Sequence, residues 1–280
     1  MRKISKDDIV YFIHGLRKKQ PECPYCGSRP VVYARKYLVI DVCKCQKCCL
    51  FFVNPMYLSD SDLKRKKFYN NSYTSVAAII PEINDLELMK KNNFSGSSKD
   101  FNNRLPIIRK LAEGNRLLEF ASSWGYFLFQ SQAYGFHPTG IEISSSRASF
   151  GRKFLGADIL PDLESIQKEF DIICSFHTLE HLVDLTDIFD KFYDRLLPGG
   201  SLILEVPNFD PETKGKSIYS IIGKVHPLGF TKYFFESNLS RHGFSDLNIA
   251  GNYEDLLKEP EKRLPLNDII IVHAKKSRNR

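Results

Sequence analysis

The stretch from Arg116 to Phe129 constrains the fold most strongly. An apolar run ends at the carboxylate of Glu119, small residues follow as far as Gly125, and an amphipathic run comes next. This order predicts a buried strand, a tight turn and a helix, with the helix N–H groups facing any ligand at the turn. A second carboxylate, Glu142, closes the next apolar run at about the 20-residue spacing expected of an acid that holds a ribose hydroxyl.

The rest of the chain alternates between strand and helix patterns. Strands are predicted at 116–120, 138–143, 157–160, 170–175 and 201–206, and helices at 125–134, 145–154 and 184–196. This alternation predicts an α/β fold with a doubly wound, mostly parallel sheet whose strands end at one ligand-binding edge. Two late strands, at 246–250 and 268–274, follow a helix at 232–241 with no helix between them, so we expect an antiparallel pair at the sheet edge.

Two Cys-x-x-Cys knuckles near the N-terminus predict a metal site. They are formed by Cys23 and Cys26, and by Cys45 and Cys48. Their separation lies within the range of about 15–20 residues that is typical of zinc sites. Four thiolates satisfy tetrahedral Zn²⁺ without an open position, so we expect a structural site in a zinc ribbon. Cys43 and Cys49 could shift the register of the second knuckle, and unpaired thiols or disulfides are the alternatives to zinc.

The length of 280 residues allows one large domain with a small appendage. We expect an N-terminal helix and zinc ribbon at 1–56, a helical connecting or lid segment at 57–98, and a ligand-binding domain at 99–280. No apolar run approaches the roughly 18 residues that a membrane helix needs, and no signal-peptide core follows Met1, so we expect a cytoplasmic protein. The net charge of +7 permits nucleic acid as a partner, but it is spread over the chain.

The ordered set of motifs resembles the class I S-adenosylmethionine-dependent methyltransferases. In particular, it is similar to the group with an N-terminal zinc-binding segment that acts on sugars and other small metabolites. The segments that carry the resemblance are the two knuckles with Phe52–Pro55, then Leu117–Leu128, Gly140–Glu142, Phe170–His181, Leu197–Gly200, Val206–Asn208, Phe230–Thr231 and His242–Phe244. The resemblance implies a Rossmann-like, seven-stranded sheet with S-adenosylmethionine as cofactor. One departure is that Ala121 and Ser123 stand where the family loop usually has glycine.

The resemblance also implies a set of cofactor contacts. They are Glu119, Ala121, Ser123, Trp124, Gly125, Tyr126, Glu142, Ile143, Asp162, Leu163, Phe176 and His177. Among these, Glu142 would take both ribose hydroxyls and Ile143 would pack on adenine. Asp162 would accept from the adenine amino group, with Asp158 as the rival for that role.

Three histidines are candidates for a catalytic base, because imidazole titrates near neutral pH. His181 follows the strand predicted at 170–175, His177 lies four residues earlier, and His226 lies in the loop after the next strand. For His181, the alternative is a conformational role in which it bonds the backbone or Glu180.

We therefore expect a methyltransferase that acts on a small molecule, with a sugar nucleotide or glycan-related metabolite as the favoured class. One alternative is an RNA methyltransferase that holds RNA on the basic and aromatic residues of the zinc segment. Another is a non-catalytic zinc-containing scaffold, which the altered loop suggests. An NAD-dependent dehydrogenase would share the first strand–turn–helix unit but would not suit the late antiparallel strands.

Overall fold

A computed structural model describes residues 6–17, 19–57, 62–71, 73, 78–210 and 221–278. The α-helices of these ranges are α1 (Lys6–Gly15), α2 (Asp62–Asn71), α3 (Ile83–Lys91), α4 (Leu105–Leu111), α5 (Tyr126–Gln132), α6 (Ser145–Leu155), α7 (Ile188–Arg195) and α8 (Lys232–Asn238). The strands are β1 (Val31–Lys36), β2 (Ile40–Lys44), β3 (Phe51–Asn54), β4 (Arg116–Phe120), β5 (His137–Ile141), β6 (Ile159–Leu160), β7 (Phe170–Phe176), β8 (Leu196–Pro207), β9 (Leu228–Gly229), β10 (Phe244–Ala250) and β11 (Ile269–Lys276). Short 3₁₀ helices occupy Leu179–His181, Leu239–His242, Glu254–Leu257 and Pro260–Lys262.

The larger sheet has seven strands in the order β10-β11-β8-β7-β4-β5-β6. The strands from β8 to β6 are parallel, and β11 and β10 add an antiparallel edge. This confirms the predicted doubly wound sheet with its antiparallel C-terminal pair. The strand order reverses at β4, which lies between β5 and β7, so a crevice opens at the carboxyl ends of these three strands.

Both faces of this sheet are buried, as its apolar strands predict. Neighbouring residues of one strand join different hydrophobic clusters, because successive side chains point to opposite faces. In β4, Leu117 packs into one cluster and Leu118 into the other; in β7, Ile172 and Ile173 divide in the same way. The sheet is therefore a rigid support for the loops at its carboxyl edge.

A smaller antiparallel sheet carries the cysteines, in the order β1-β2-β3-β9. Its last strand comes from far along the chain, with Phe51 of β3 opposite Gly229 of β9. The segments predicted as 1–56 and 99–280 thus contribute strands to one sheet. Residues 58–61, 72 and 74–77 of the predicted lid segment lie outside the described residues.

Several element boundaries are set by local features. Helix α4 begins at Leu105, because Pro106 has no N–H and fits only the first turn of a helix. Residues 92–98, at the end of the predicted lid segment, form turns that bury Phe94 completely. The strand predicted at 268–274 extends to Lys276, because Lys275 and Lys276 pair with β10.

Within the described ranges, no helix combines the length and the apolar character needed to cross a membrane.

Candidate active site

A cavity of about 760 Å³ opens at the carboxyl ends of β4, β5 and β7. It lies at the strand-order reversal, where doubly wound sheets bind their ligands. Of the residues singled out in the sequence, those that line it are Glu119, Ala121, Ser123, Tyr126, Glu142, Ile143, Phe176, His177, His181 and His226.

The turn between β4 and α5 forms one wall of the cavity. It is closed by backbone hydrogen bonds from Ser122 N to Ile141 O, at 2.7 Å, and from Gly125 N to Ser122 O, at 2.9 Å. Ala121 and Ser123 have left-handed backbones, with φ of 66° and 51°. This conformation costs a non-glycine residue roughly 1–2 kcal/mol. The chain thus keeps the glycine-type backbone of the turn at two positions without having the glycines.

Glu119, the penultimate residue of β4, faces the cavity while being almost fully buried. Burial raises the pKa of its carboxyl group well above the ordinary value, and the neighbouring Glu142 raises it further. Its Oε2 atom has no hydrogen-bond partner in the described part of the chain. A buried acceptor without a donor is rare, so this atom is suited to a ligand that carries a donor or a positive charge.

Glu142 lies at the end of β5 and is held by three protein donors. The backbone N–H of Ser123 binds Oε2 at 2.9 Å, and the backbone N–H of Ser144 binds Oε1 at 2.7 Å. Arg147 Nη2 donates to the same Oε1 at 2.8 Å. A carboxylate has about four acceptor sites, so an incoming ribose can share this group but cannot have both oxygens to itself.

The structure does not bring Trp124 and Gly125 to the cavity wall. Trp124 is fully buried in the hydrophobic core, where its ring lies 5.9 Å from that of Phe94 and its Nε1 donates to Ile79 O at 2.9 Å. Gly125 has φ of 81°, and an added Cβ would lie 3.0 Å from Ala157 Cβ. It therefore serves the packing of α5 against the β6 region.

Asp162 and Leu163 are also away from the cavity. Asp162 is exposed and accepts hydrogen bonds from the backbone N–H and the hydroxyl of Ser165, while Leu163 is buried in a hydrophobic cluster. Asp158, the rival adenine contact, accepts from the Thr139 hydroxyl at 2.8 Å. Strand β6, between these two acids, has only two residues and is too short to carry either acid to the ligand-binding edge.

His177 follows β7 in a left-handed conformation and forms a charged pair in the cavity wall. Its Nε2 lies 2.8 Å from Glu205 Oε1, and its Nδ1 lies 3.6 Å from Glu180 Oε1. Burial alone would lower the pKa of His177, but the interactions with the carboxylates of Glu180 and Glu205 outweigh burial and raise it to about 9. The ring is therefore charged at neutral pH, which does not suit a general base.

His181 and His226 form a pair of imidazoles whose rings lie 4.5 Å apart. His181 Nδ1 lies 2.9 Å from Val225 O, and His226 Nδ1 lies 3.1 Å from Ile221 O. A carbonyl oxygen can only accept, so each Nδ1 carries the proton and each Nε2 keeps a lone pair in the neutral ring. Burial lowers the pKa of His181 to about 4, and its Nε2 lies 3.2 Å from the Tyr73 hydroxyl.

The four predicted zinc ligands lie together in the smaller sheet. Their sulfur atoms are all within 4.8 Å of one another. Cys23 Sγ is 3.6 Å from Cys48 Sγ, and Cys26 Sγ is 3.4 Å from Cys45 Sγ. Zinc–sulfur bonds of about 2.3 Å in a tetrahedron would set these separations near 3.8 Å.

The two knuckles have the same backbone turn. In the first, Cys23 N donates to Ser28 O; in the second, Cys45 N donates to Leu50 O, five residues on in each case. The fourth position after each first cysteine is left-handed, with φ of 68° at Gly27 and 62° at Cys49. This equivalence gives the register that the sequence left open, with Cys49 in the glycine position and outside the cluster.

A family model for a methyltransferase domain matches residues 96–244, which is more than half of the chain. The chain belongs to this family. By family and fold it is a class I S-adenosylmethionine-dependent methyltransferase.

Solved structures share the fold of this methyltransferase at low sequence identity. A SAM-dependent methyltransferase from Archaeoglobus fulgidus is 19% identical, with 70% of this chain and 100% of that chain covered and a TM-score of 0.50. Phosphoethanolamine N-methyltransferase 2 of Haemonchus contortus, in complex with S-adenosyl-L-methionine, is 14% identical, with 76% of this chain and 60% of that chain covered and a TM-score of 0.54. At these identities the likeness concerns the fold alone. No curated protein matches the sequence.

The methyltransferase cavity also has residues that sequence reasoning missed. Arg147 on α6 reaches Glu142, and Arg104 lies 3.2 Å from Glu205, a buried acid that β8 brings beside His177. Lys99 lies with its ammonium 5.3 Å from the Tyr126 ring centre. Only Arg147 had a sequence signal, since it lies in the first turn of the helix that follows Glu142.

Helix α2 and Tyr73 cover the cavity of the methyltransferase. The Tyr69 hydroxyl lies 3.5 Å from His181 O, and Asn70 Oδ1 accepts from the Ser144 hydroxyl at 3.1 Å. This segment therefore contacts both the β5 end and the β7 end of the crevice.

Proposed function

We propose that the methyltransferase binds S-adenosylmethionine between the ends of β4 and β5 and methylates a small molecule held near the end of β7. The observation that carries this proposal is the buried Oε2 atom of Glu119, which lies on the cavity wall with no donor among the residues that the structure describes. The methionine end of the cofactor has an ammonium group that would satisfy it. When bound, the cofactor supplies a methyl group that its sulfonium centre already activates.

The wall residues have separate tasks in this proposal. Glu119 would lose its proton as it accepts from the ammonium, because an ion pair favours the charged carboxylate. Glu142 would share its remaining acceptor capacity with the ribose. The apolar side chain of Ile143, which is 40% exposed, would pack on the adenine, and Phe176 would lie beside the sulfonium.

The acceptor is assigned to the side of the cavity where His181 and His226 lie. Their Nε2 lone pairs suit the activation of a hydroxyl or carbon acid, whereas His177 is charged and suits the stabilisation of negative charge. The remaining chemistry is alignment and exclusion of water, which α2 and Tyr73 would provide by covering the crevice.

A sugar nucleotide or related glycan metabolite is the substrate class that we propose. Support comes from Lys99 and Arg104, which place two cations on the cavity wall. A diphosphate or a sugar carboxylate would bind such cations through charge-assisted hydrogen bonds. We also propose that Zn²⁺ binds to Cys23, Cys26, Cys45 and Cys48 as a structural ion, because four sulfurs leave no open position.

Calorimetry with S-adenosylmethionine tests the cofactor site. Glu119→Gln should weaken binding by about 10- to 100-fold, because one charge-assisted hydrogen bond is lost. Binding by the unmodified protein should also release a proton, seen as a binding enthalpy that varies with the ionisation enthalpy of the buffer. The control is Asp162→Asn, which changes an exposed acid away from the cavity. Equal affinity in all three proteins would contradict the proposed site, and no binding at millimolar cofactor would favour a scaffold.

Turnover with labelled cofactor tests the acceptor. Small-molecule acceptors with a sugar and a diphosphate should be methylated, and His226→Ala should reduce turnover by about 100-fold or more. Methylation of RNA alone, with binding that weakens steeply as salt rises, would overturn the substrate assignment.

A further inference from the structure

A second group of metal-type ligands lies on the acceptor side of the cavity, far in sequence from the cysteine knuckles. Glu180, His181 and His226 each offer one ligand atom, and these atoms lie within 4.8 Å of one another. All three residues also line the cavity, so a bound ion would face the ligand space.

The two imidazoles are already oriented as metal ligands usually are. Protein histidines that bind a metal through one nitrogen nearly always donate the other N–H to a carbonyl or carboxylate. His181 donates Nδ1–H to Val225 O and His226 donates Nδ1–H to Ile221 O, so both Nε2 atoms have the lone pair that a metal requires. The first of these bonds also ties the two histidine segments together.

The carboxylate of Glu180 also indicates a cation at this position, independently of the two histidines. Glu180 is 2% exposed, and neither of its side-chain oxygens has a hydrogen-bond partner among the described residues. Two imidazole nitrogens lie near Glu180 Oε1: His177 Nδ1 at 3.6 Å and His181 Nε2 at 4.0 Å. The charged ring of His177 lies closer to Glu205, at 2.8 Å, so one cation is shared by two buried carboxylates. A buried carboxylate without donors is costly unless a cation compensates it, so Glu180 is suited to a second cation.

We propose that Glu180, His181 and His226 bind a divalent transition-metal ion, distinct from the ion of the four cysteines. Two imidazoles and one carboxylate are the donor set of catalytic zinc sites and of non-haem Fe(II) sites, both of which keep open positions. The ion takes the place of the hydrogen bond between Tyr73 and His181 Nε2, which is 3.2 Å long.

This inference rests on the proposed function and narrows its substrate class. The open positions of the ion face the cavity, where an oxygen of the acceptor would complete the coordination. With both Nε2 lone pairs on the ion, the imidazoles would act through the metal and not as general bases. A bound metal lowers the pKa of a hydroxyl that it holds, so the ion would activate an acceptor hydroxyl at neutral pH. The acceptor is therefore a molecule with a hydroxyl next to a second oxygen donor, as in a vicinal diol or a hydroxy acid.

Titration of the metal-free full chain with Co²⁺, without cofactor or acceptor, tests the site. Thiolate-bound Co²⁺ absorbs strongly through sulfur-to-metal charge transfer, whereas Co²⁺ bound by imidazole and carboxylate does not. The expected result is two ions per chain, one of each spectral type. His226→Gln and Glu180→Gln should each weaken the ion without charge transfer by about 100-fold or more and leave the thiolate-bound ion unchanged.

The retained thiolate spectrum shows that each variant is folded around its cysteines, and His137→Gln serves as the matched control. His137 is exposed at the start of β5 and should leave both ions in place. Uptake of a single ion by the unmodified chain would overturn the proposal, as would a second ion that both variants still bind. Because neither cofactor nor turnover enters the measurement, a failure of the methyltransferase proposal would be seen separately.

Discussion

The turn that contains Ala121 and Ser123 has the left-handed backbone that glycine favours, although neither residue is glycine. Their positive φ values are those that glycine adopts without cost, and the hydrogen bonds around Ser122 hold the turn in place. The strain is local to the wall on which the cofactor is proposed to lie.

Ala121→Gly should therefore raise the stability of the protein. Relief of the left-handed strain contributes roughly 1–2 kcal/mol, and the added freedom of the unfolded chain removes about 0.4–1 kcal/mol. We expect a net gain of up to about 1.6 kcal/mol in the free energy of unfolding, measured by denaturant titration. Ala133→Gly, at a right-handed position with φ of −64°, should lose about 0.4–1 kcal/mol instead. A loss at both positions would contradict the strain.

His177 should titrate near pH 9 rather than at its ordinary value of 6.5. Because the folded-state pKa is raised, the charged ring contributes stability below about pH 6.5, and this contribution is lost as the pH rises through 9. Glu205→Gln should lower the pKa of His177, measured by NMR titration of the ring. Asp190→Asn, which changes the acid 3.2 Å from His242 Nδ1, should not. A His177 that titrates near 6.5 in the unmodified protein would contradict the charged pair.

At the scale of elements, the turn that both knuckles share explains why Cys45 and Cys48 belong to the cluster of four and Cys49 does not. In both knuckles the fourth residue after the first cysteine is left-handed, and in the first knuckle this residue is Gly27. The second has Cys49, whose side chain the turn directs outside the cluster of four.

Cys49→Gly should keep the metal and remove strain. We expect full metal content and a free energy of unfolding equal to or up to about 1.6 kcal/mol above that of the unmodified protein. Cys48→Ser should lose metal, since Cys48 is one of the four clustered thiols. Metal content measured after gel filtration distinguishes the two variants. Loss of metal in Cys49→Gly would show that Cys49 is itself a ligand and that the second knuckle has the alternative register.

At the scale of the whole molecule, the cysteine segment and the acceptor side of the cavity are joined through one strand pair. Phe52 of β3 lies opposite Leu228 of β9, and Val53 N donates to Pro227 O at 2.9 Å. His226 immediately precedes this pairing. The metal of the knuckles would therefore support the position of a cavity residue that it does not touch.

Cys45→Ser should loosen β9 and lower turnover while leaving cofactor affinity nearly unchanged. Amide exchange at Leu228 and Val53 should accelerate, because the sheet that protects them depends on the knuckles. Displacement of His226 by about 1 Å would cost roughly 100-fold in kcat. Cys43→Ala, a change in β2 outside the cluster, should leave exchange and turnover near the values of the unmodified protein. Unchanged amide exchange at Leu228 in Cys45→Ser would contradict the inference that the knuckles stabilise β9.

Local pattern determined the strands, the helices and the four clustered cysteines, because hydrophobic period and ligand spacing are properties of neighbouring residues. It also identified the acids near the carboxyl ends of β4 and β5, since a charge after an apolar run marks the end of a buried strand. Order along the chain was enough to predict the parallel sheet and its antiparallel edge.

Only the tertiary structure decided how the side chains at that edge share their charges and hydrogen bonds. Arg147 donates to one oxygen of Glu142, the carboxylate of Glu205 favours the charged form of His177, and Trp124 is buried in the core. These outcomes depend on groups far apart in sequence that meet through burial and desolvation, which no spacing along the chain records. The pairing of β3 with β9 is of the same kind, because strand partners are chosen by the folded surface as a whole.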